Sequence, residues 1–318
     1  MREFTFKEAV ISDPSYGSYP GLKPIEELKK RGLIILDKPK GPTSHQVAGW
    51  VKDILEVKKA GHTGTLDPKV TGVLIVALEK STKVVPLLKD LKKEYVALMV
   101  THDEVEDGAL RKTLGKFQGD IKQTPPKRSA VKRRERTRYI DEIDLKETEG
   151  RKVLIKIKCE AGTYVRKLIH DIGTDLGCGA HMKELRRTSV GPFGEDRSVK
   201  LQDIKDDYVF FQKGKNEDIR KDILPMETVA DISKCIIIKD TAIEAVCSGA
   251  NLGAGGVAAV EENIEEGDTI SLLSGKGEMV AVGEACMNSK DISKSKKGVA
   301  ASLINVTMDR ETYPKGWK

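Results

Sequence analysis

Gly61-His62-Thr63-Gly64-Thr65-Leu66-Asp67-Pro68 places two glycines, a proline and a single carboxylate in one short stretch, and Lys69-Val70-Thr71-Gly72 leads from it into the apolar run Val73 to Leu78. Glycine and proline together fix an irregular backbone. A carboxylate between Leu66 and Pro68, just ahead of a segment that must be buried, costs free energy unless its charge is needed there. An ionised carboxylate held in this way can serve as a base or a nucleophile. A lone Asp-Pro would more simply be a turn whose carboxylate caps a neighbouring N–H. The density of special residues around Asp67 favours a site.

A second residue breaks a local rule. Arg151 to Cys159 alternates as a strand, with Val153, Ile155, Ile157 and Cys159 facing one way. Ala161-Gly162-Thr163 turns the chain into a helix whose stripe is Val165, Leu168, Ile169, Ile172 and Leu176. Thr163 is the expected N-cap, which puts Arg166 at the third helical position, where a capping box takes Glu or Gln. A cation there also opposes the helix dipole. The simplest partner is a buried carboxylate, Asp67, which arginine can grip with two parallel hydrogen bonds. The alternative is an exposed arginine of no consequence. Tyr95 opens the alternating strand Glu94 to Thr101, so its ring is expected near a sheet edge, either meeting a ligand or filling the core.

The elements that must position these groups can be read in order. Residues 1–30, broken by Pro14, Pro20 and Pro24, form an extended arm with at most a short helix near Ile25 to Lys30. Leu33 to Leu36 is a buried strand. After the turn Lys38-Pro39-Lys40-Gly41-Pro42, Thr43 or Ser44 caps a helix with Val47, Trp50, Val51, Ile54 and Leu55 on its packed face. A helical pattern from Ser81 to Leu91 carries Pro86, which must sit early or kink it. The most basic segment holds Lys122, Lys127, Arg128, Lys132, Arg133, Arg134, Arg136 and Arg138 and reads equally as a solvated face or a nucleic-acid contact. Residues 140–150 are acidic and expected to turn between strands. Residues 201–230 read as helical and amphipathic. From Ser233 onward, short apolar strands separated by glycine turns mark a small β-barrel.

Composition narrows the function classes. The 318 residues carry a net charge of +6, which admits a polyanionic partner without demanding one. Charged residues make up 33%, above the roughly 25% of an average domain, so the surface is well solvated. No apolar run is long enough to span a bilayer, and Met1-Arg2-Glu3-Phe4 does not open a signal peptide. Cys159, Cys178, Cys235, Cys247 and Cys286 are scattered without metal-binding spacing, which reads as reduced core thiols in a cytoplasmic protein. Neither a structural metal nor an organic cofactor is expected. Gly253-Ala254-Gly255-Gly256 lacks the spacing and the βαβ surroundings of a dinucleotide site.

The Gly61 to Pro68 stretch resembles the catalytic motif of TruB-type pseudouridine synthases, and other blocks resemble the same family. Lys38-Pro39 with Gly41-Pro42-Thr43-Ser44 is similar to its first motif, and Ala161-Gly162-Thr163-Tyr164-Val165-Arg166 to the motif carrying its arginine. Leu185-Arg186-Arg187-Thr188 matches the block whose leucine lines the pocket. Ser129-Ala130-Val131-Lys132-Arg133 and Thr307-Met308-Asp309-Arg310 resemble the archaeal, dyskerin-type branch, the catalytic subunit of box H/ACA ribonucleoproteins.

The resemblance implies an α+β pseudouridine-synthase fold, a mixed and mainly antiparallel sheet flanked by helices, plus a small β-barrel PUA domain. Its implied divisions are an arm over 1–30 that packs on the PUA domain, a catalytic domain over 31–228, the PUA domain over 233–308 and a tail over 309–318. Asp67, Tyr95 and Arg166 are then catalytic, with Asp67 ionised in a mostly apolar cavity, and Lys38, His62 and Leu185 support the motif loop and pocket. RNA contacts would come from Lys127, Arg128, Lys132, Arg133, Arg134 and Arg136, and from Gly249, Ala250, Leu252, Gly256 and Lys276 in the barrel. The implied partners are a guide RNA, substrate rRNA or tRNA, and three small particle proteins. The implied reaction is guide-directed isomerisation of uridine to pseudouridine. A guide-independent tRNA synthase and a non-catalytic RNA-binding scaffold are the alternatives.

Overall fold

The computed structural model describes residues 2–10, 12–125, 134–215 and 217–315. The architecture is α+β: a mixed, mainly antiparallel sheet flanked by helices, and a second, smaller sheet. In spatial order the larger sheet runs Leu224–Pro225, Gly32–Lys38, Thr71–Leu78, Ala180–Val190, Lys93–Thr101, Lys152–Cys159, Arg136–Glu149 and Gly119–Gln123. Ala60–Thr63 adds to Thr71–Leu78, and Phe193–Gly194 to Ala180–Val190.

Thr71–Leu78 and Ala180–Val190 run parallel, with Thr71 opposite Arg186 and Gly72 opposite Arg187. Gly72 has φ +101°, and a Cβ on it would lie 2.1 Å from the Arg187 carbonyl oxygen. A residue without a Cβ is what lets the two strands meet this closely. The next pairing then sets Arg187 opposite Tyr95 on Lys93–Thr101, beside a bulge between Glu94 and Tyr95.

The apolar runs occupy the middle of the sheet and are buried on both faces. Ile34, Leu36, Leu74 and Val76 pack against Val47 and Val51 of the helix Ser44–Ile54 and Ile204 of the helix Leu201–Gln212. The opposite face, Leu33, Ile35, Val73 and Ile75, meets Leu88, Met226 and Val229, together with Met279 and Val282 of the smaller sheet. Thr43 begins the first helix with a full capping box, accepting from the Gln46 N–H while Gln46 Oε1 accepts from its own N–H. Farther along, Ala97, Met99, Ile155 and Ile157 receive Leu168, Ile169 and Ile172 of the helix Val165–Asp175.

Several elements differ from the sequence reading. Trp50 is 45% exposed and lies off the packed stripe of its helix. The acidic residues 140–149 belong to the strand Arg136–Glu149, and the chain turns only at Gly150, with φ +55°. Two register shifts, between Ile140 and Glu142 and between Leu145 and Glu147, break the alternation that would have revealed this strand. Tyr95 sits on a central strand, between Ala180–Val190 and Lys152–Cys159, rather than at an edge. Helix persists over only part of 201–230: Leu201–Gln212 and Ile219–Asp222 are followed by the strand Leu224–Pro225 and a 3-10 turn, Met226–Ile232. Pro86 stands at the start of the helix Val85–Leu88, where its missing N–H is not needed.

The smaller sheet runs Phe4–Phe6, Val257–Glu261, Cys235–Ile238, Thr269–Leu273, Met279–Ala285, Val299–Val306 and Leu252–Gly253. Its first strand comes from the arm, pairing Phe4 with Glu261 and Phe6 with Ala259. Farther along the arm, Lys7 Nζ donates to the carbonyls of Ala254 and Ile292, each at 2.8 Å, and the Asp13 N–H donates to Asp240 at 2.9 Å. All five cysteines are free thiols.

One buried group gives the fold a pH dependence. Asp222 ends the helix Ile219–Asp222 at 7% exposure, and its Oδ2 has no hydrogen-bond partner. Burial first, then the neighbouring Asp207, Asp203 and Asp218, push its carboxyl from 3.8 up to about 7. The folded chain thus holds this proton more tightly than the unfolded chain, so the stabilisation is complete below the unfolded value and disappears as pH rises through about 7. Asp222→Asn should flatten the fall in urea midpoint between about pH 5 and pH 8. A variant that keeps the parent slope would show that this carboxyl is not its source.

Candidate active site

The loop between Ala60–Thr63 and Thr71–Leu78 is held by side chains from three other elements. Ser44, the first residue of its helix, accepts the Leu66 N–H at 2.9 Å and returns its hydroxyl to the Leu66 carbonyl at 3.0 Å. Lys38, fully buried at the end of Gly32–Lys38, donates to the carbonyls of Pro39 and Val70 at 2.9 Å and of Pro68 at 3.3 Å. Arg187, 1% exposed, donates Nη2 to the Gly64 carbonyl at 2.8 Å and Nε to the Val73 carbonyl at 2.7 Å. Within the loop, the Val70 N–H closes back on the Asp67 carbonyl at 2.9 Å.

Asp67 and Arg166 form an ion pair, Nη2 to Oδ2, across 99 residues of sequence. Arg166 enters from the second residue of the helix Val165–Asp175, whose N-cap is Tyr164 rather than Thr163. The Thr163 hydroxyl instead bonds back to the Glu160 carbonyl at 2.8 Å, and Gly162 holds φ +81°. Gln123, 2% exposed, brackets Tyr164 from outside the helix: its Oε1 accepts the Tyr164 N–H at 3.0 Å and its Nε2 donates to the Tyr164 carbonyl at 3.2 Å. A side chain from the edge strand Gly119–Gln123 thus fixes the residue that begins the helix.

The pair lies at a mouth and not in a dry cavity. The Asp67 and Arg166 side chains are 56% and 61% exposed. Leu66, at 4% exposure, and Val70, at 3%, turn inward, and Asp67 beside Leu66 faces out. The carboxylate is therefore open to an incoming reactant, already charge-paired with an arginine.

Behind it lies a buried basic floor. Burial pushes the Tyr95 phenol up, and the Arg187 guanidinium bonded beside it opposes that rise. Burial also lowers Arg187 itself. His62 is lowered by burial, then by His45 and Arg187, and its Nδ1 is buried without a hydrogen-bond partner. Leu185, opposite Ala97, packs with Tyr95 against the core formed by Val165 and Leu168. Tyr95, Leu185 and the Asp67 loop therefore share one region, joined through Arg187. Ser44, Gln123 and Arg187 are the supports that the sequence reading did not single out. Ser44 and Arg187 each left a trace in the sequence, one at a helix start and one in a basic pair beside Leu185, whereas Gln123 left none.

The expected RNA-contact residues divide sharply. Lys127, Arg128, Lys132 and Arg133 lie outside the described residues. Arg134 is exposed, and Arg136 is half-buried with Nε lacking a hydrogen-bond partner. Gly249 and Ala250 are exposed after the helix Asp240–Cys247, and Gly256 is half-buried. Leu252 is core, at 1% exposure. Lys276 is not available to RNA: at 8% exposure it clamps the arm, donating to the carbonyls of Tyr16 and, at 3.3 Å, Pro14. A long cation beside unpaired backbone carbonyls is satisfied internally.

Lys38 tests how the loop is held. Burial lowers its ammonium and the Asp67 charge opposes that shift, so the cation also faces the site. Lys38→Met removes the donors to two loop carbonyls, Pro68 and Val70, and to Pro39, and should lower the denaturation midpoint by the equivalent of about 1–3 kcal/mol. A midpoint equal to the parent's would mean that these bonds do not hold the loop.

Comparison with known proteins accords with this geometry. Residues 52–165 match the model of the TruB family pseudouridylate synthase N-terminal domain, and residues 166–230 that of the tRNA pseudouridylate synthase B C-terminal domain. Residues 234–307 match the PUA domain and residues 1–48 the DKCLD (NUC011) domain. Proteins named probable tRNA pseudouridine synthase B are 49% identical in Methanosarcina barkeri, over 98% of this chain and 92% of the relative, and 48% identical in Archaeoglobus fulgidus, over 100% and 98%. The chain superposes on one in a Cbf5-Nop10-Gar1 complex with TM-score 0.94 and 47% identity, covering 99% of this chain and 96% of that one. It also superposes on one in an H/ACA RNP bound to a substrate RNA containing 2′-deoxyuridine, with TM-score 0.93 and 45% identity, covering 100% and 98%. With its motif loop, paired arginine and full-length relatives in agreement, the chain belongs to the TruB family of pseudouridine synthases and carries PUA and DKCLD domains.

Proposed function

We propose that this chain isomerises uridine to pseudouridine in RNA as the guide-directed catalytic subunit of a box H/ACA ribonucleoprotein. The observation that carries the reading is the exposed Asp67–Arg166 pair, on a loop that Arg187, beside Tyr95, anchors at Gly64. Similarity along the whole length to chains from H/ACA particles supports the guide-directed form.

The reaction breaks the N1–C1′ bond, forms C5–C1′, moves a proton off C5 and leaves one on N1. It is redox-neutral and balances without a cofactor. A stacked base must first be extruded to reach a protein side chain. Asp67 acts as nucleophile or base at the glycosidic bond. Arg166 pairs with that carboxylate and aims it, and Tyr95 stacks on the base and assists the proton exchange at C5. An entering base covers the mouth, and charge interactions strengthen as water leaves. Leu185 closes the pocket, and Lys38 and His62 shape the loop.

The division of labour follows the sequence reading: an arm over 1–30, catalytic residues within 31–228, guide contacts from the PUA domain over 233–308 and a tail over 309–318, in the cytoplasm. Partners are the guide RNA, substrate rRNA or tRNA and three small proteins. Among the described residues no helix is long and apolar enough to cross a membrane. The relatives' name, probable tRNA pseudouridine synthase B, favours a second reading, direct action on tRNA.

Reconstitution with guide RNA, the small proteins and substrate, followed by pseudouridine mapping, tests the proposal. Product at the guide-specified uridine is expected; equal product on tRNA without guide or partners would favour the second reading. Asp67→Asn should cut turnover by about 1,000-fold or more with RNA affinity unchanged. Unchanged product formation would leave only an RNA-binding scaffold. Arg166→Ala should lower turnover about 10- to 100-fold, well beyond its effect on binding. Equal losses in turnover and affinity would reduce Arg166 to an RNA contact.

A further inference from the structure

We propose that Lys93 is a positioning residue for the isomerisation, a buried ammonium that acts on Tyr95 through Arg187. The inference rests on Tyr95 facing the substrate base, as set out above. Lys93 lies two residues before Tyr95 on the same strand and therefore on the same face, opposite Cys159 on one side and Val190 on the other. It is 5% exposed, and its Nζ donates to the Lys89 carbonyl at 2.8 Å. A Cβ placed on Gly64 would lie 3.2 Å from Arg187 Nη1 and 3.8 Å from Lys93 Cε, so the two cations flank the same glycine of the Asp67 loop.

The charged and titratable groups around Lys93 leave this ammonium without a buried counter-ion. Arg187 faces it from Ala180–Val190, Cys159 from Lys152–Cys159 and Asp90 from the preceding turn. Cys159 is a neutral thiol, pushed up to about 11 by burial, and the Asp90 side chain is 82% exposed. Burial first, and Arg187 second, bring the Lys93 ammonium down to about 8. Two like charges in a poorly hydrated interior repel. While Lys93 is charged, the Gly64 end of the loop and the phenol beside Arg187 lie in the field of two cations rather than one. Neutral Lys93 leaves one cation there, so the field at the phenol and at the Gly64 end of the loop falls together. One amine thus tunes the two halves of the site together.

The test is the pH dependence of single-turnover pseudouridine formation in the reconstituted particle, from about pH 6.5 to 9.5, for the parent, Lys93→Arg and Lys93→Met. The parent rate should fall as pH rises through about 8, by about tenfold. Lys93→Arg, which stays charged, should hold its plateau to the top of the range. Lys93→Met should be slow and flat throughout, with RNA affinity within about twofold of the parent. A Lys93→Met particle with the parent rate and the parent alkaline fall overturns the inference, as does a Lys93→Arg particle that still loses activity near pH 8. If Lys93→Met does not fold, the Lys93→Arg profile decides. A parent particle that forms no pseudouridine at any pH removes the functional reading beneath the inference as well.

Discussion

The close backbone approach of two parallel strands at Gly72 and Arg187 is the constraint on which the site depends. It places a guanidinium directly behind the Asp67 loop, where its donors reach the Gly64 and Val73 carbonyls. A carbonyl oxygen 2.1 Å from the point a Cβ would occupy leaves no room for any other residue at Gly72. Arg187 cannot be withdrawn without stranding those carbonyls, and it cannot be solvated where it is. A buried cation fixed by backbone acceptors is rigid, and rigidity is what a catalytic loop needs from its foundation.

The contrast between floor and mouth has a physical logic. An exposed ion pair contributes little to folding stability, because water and salt screen it. Asp67 and Arg166 therefore do not hold the fold together. An ion pair of this kind strengthens when water is excluded from it. The loop's stability comes instead from Ser44, Lys38 and Arg187, which are buried and bonded to backbone. Supporting and reacting groups are separated by depth.

Much of this was legible in the sequence because its clearest signals were local. The apolar runs 33–36 and 73–78 gave buried strands, and Thr43 with Gln46 gave a helix start. The Asp67–Arg166 partnership was found because a cation in a first helical turn violates a local preference. What stayed hidden was non-local. Gln123 fixes the start of a helix from another strand, and nothing near Thr163 announces it. The strand Arg136–Glu149 was misread because two bulges reset its alternation. Lys276 looked like a surface cation because sequence cannot show an arm folding over it. The depth of Asp67 was misjudged for a related reason: Leu66 before it and the run from Val73 are buried, while the carboxylate and Pro68 turn out.

The arm that completes the smaller sheet carries a consequence for biogenesis. Phe4 to Phe6 is made well before its partner Val257–Glu261, which lies some 250 residues later. A nascent chain emerging at about 5–20 residues per second leaves that segment without its sheet for many seconds. Phe6 stays 63% exposed even after docking, so the waiting segment is adhesive. Loop closure over such a span is entropically slow, and the catalytic sheet can form meanwhile from nearer neighbours. This arm segment thus waits long for its partner, and a ribosome stalled before residue 257 would present an unpaired sticky edge to the cell's quality-control machinery.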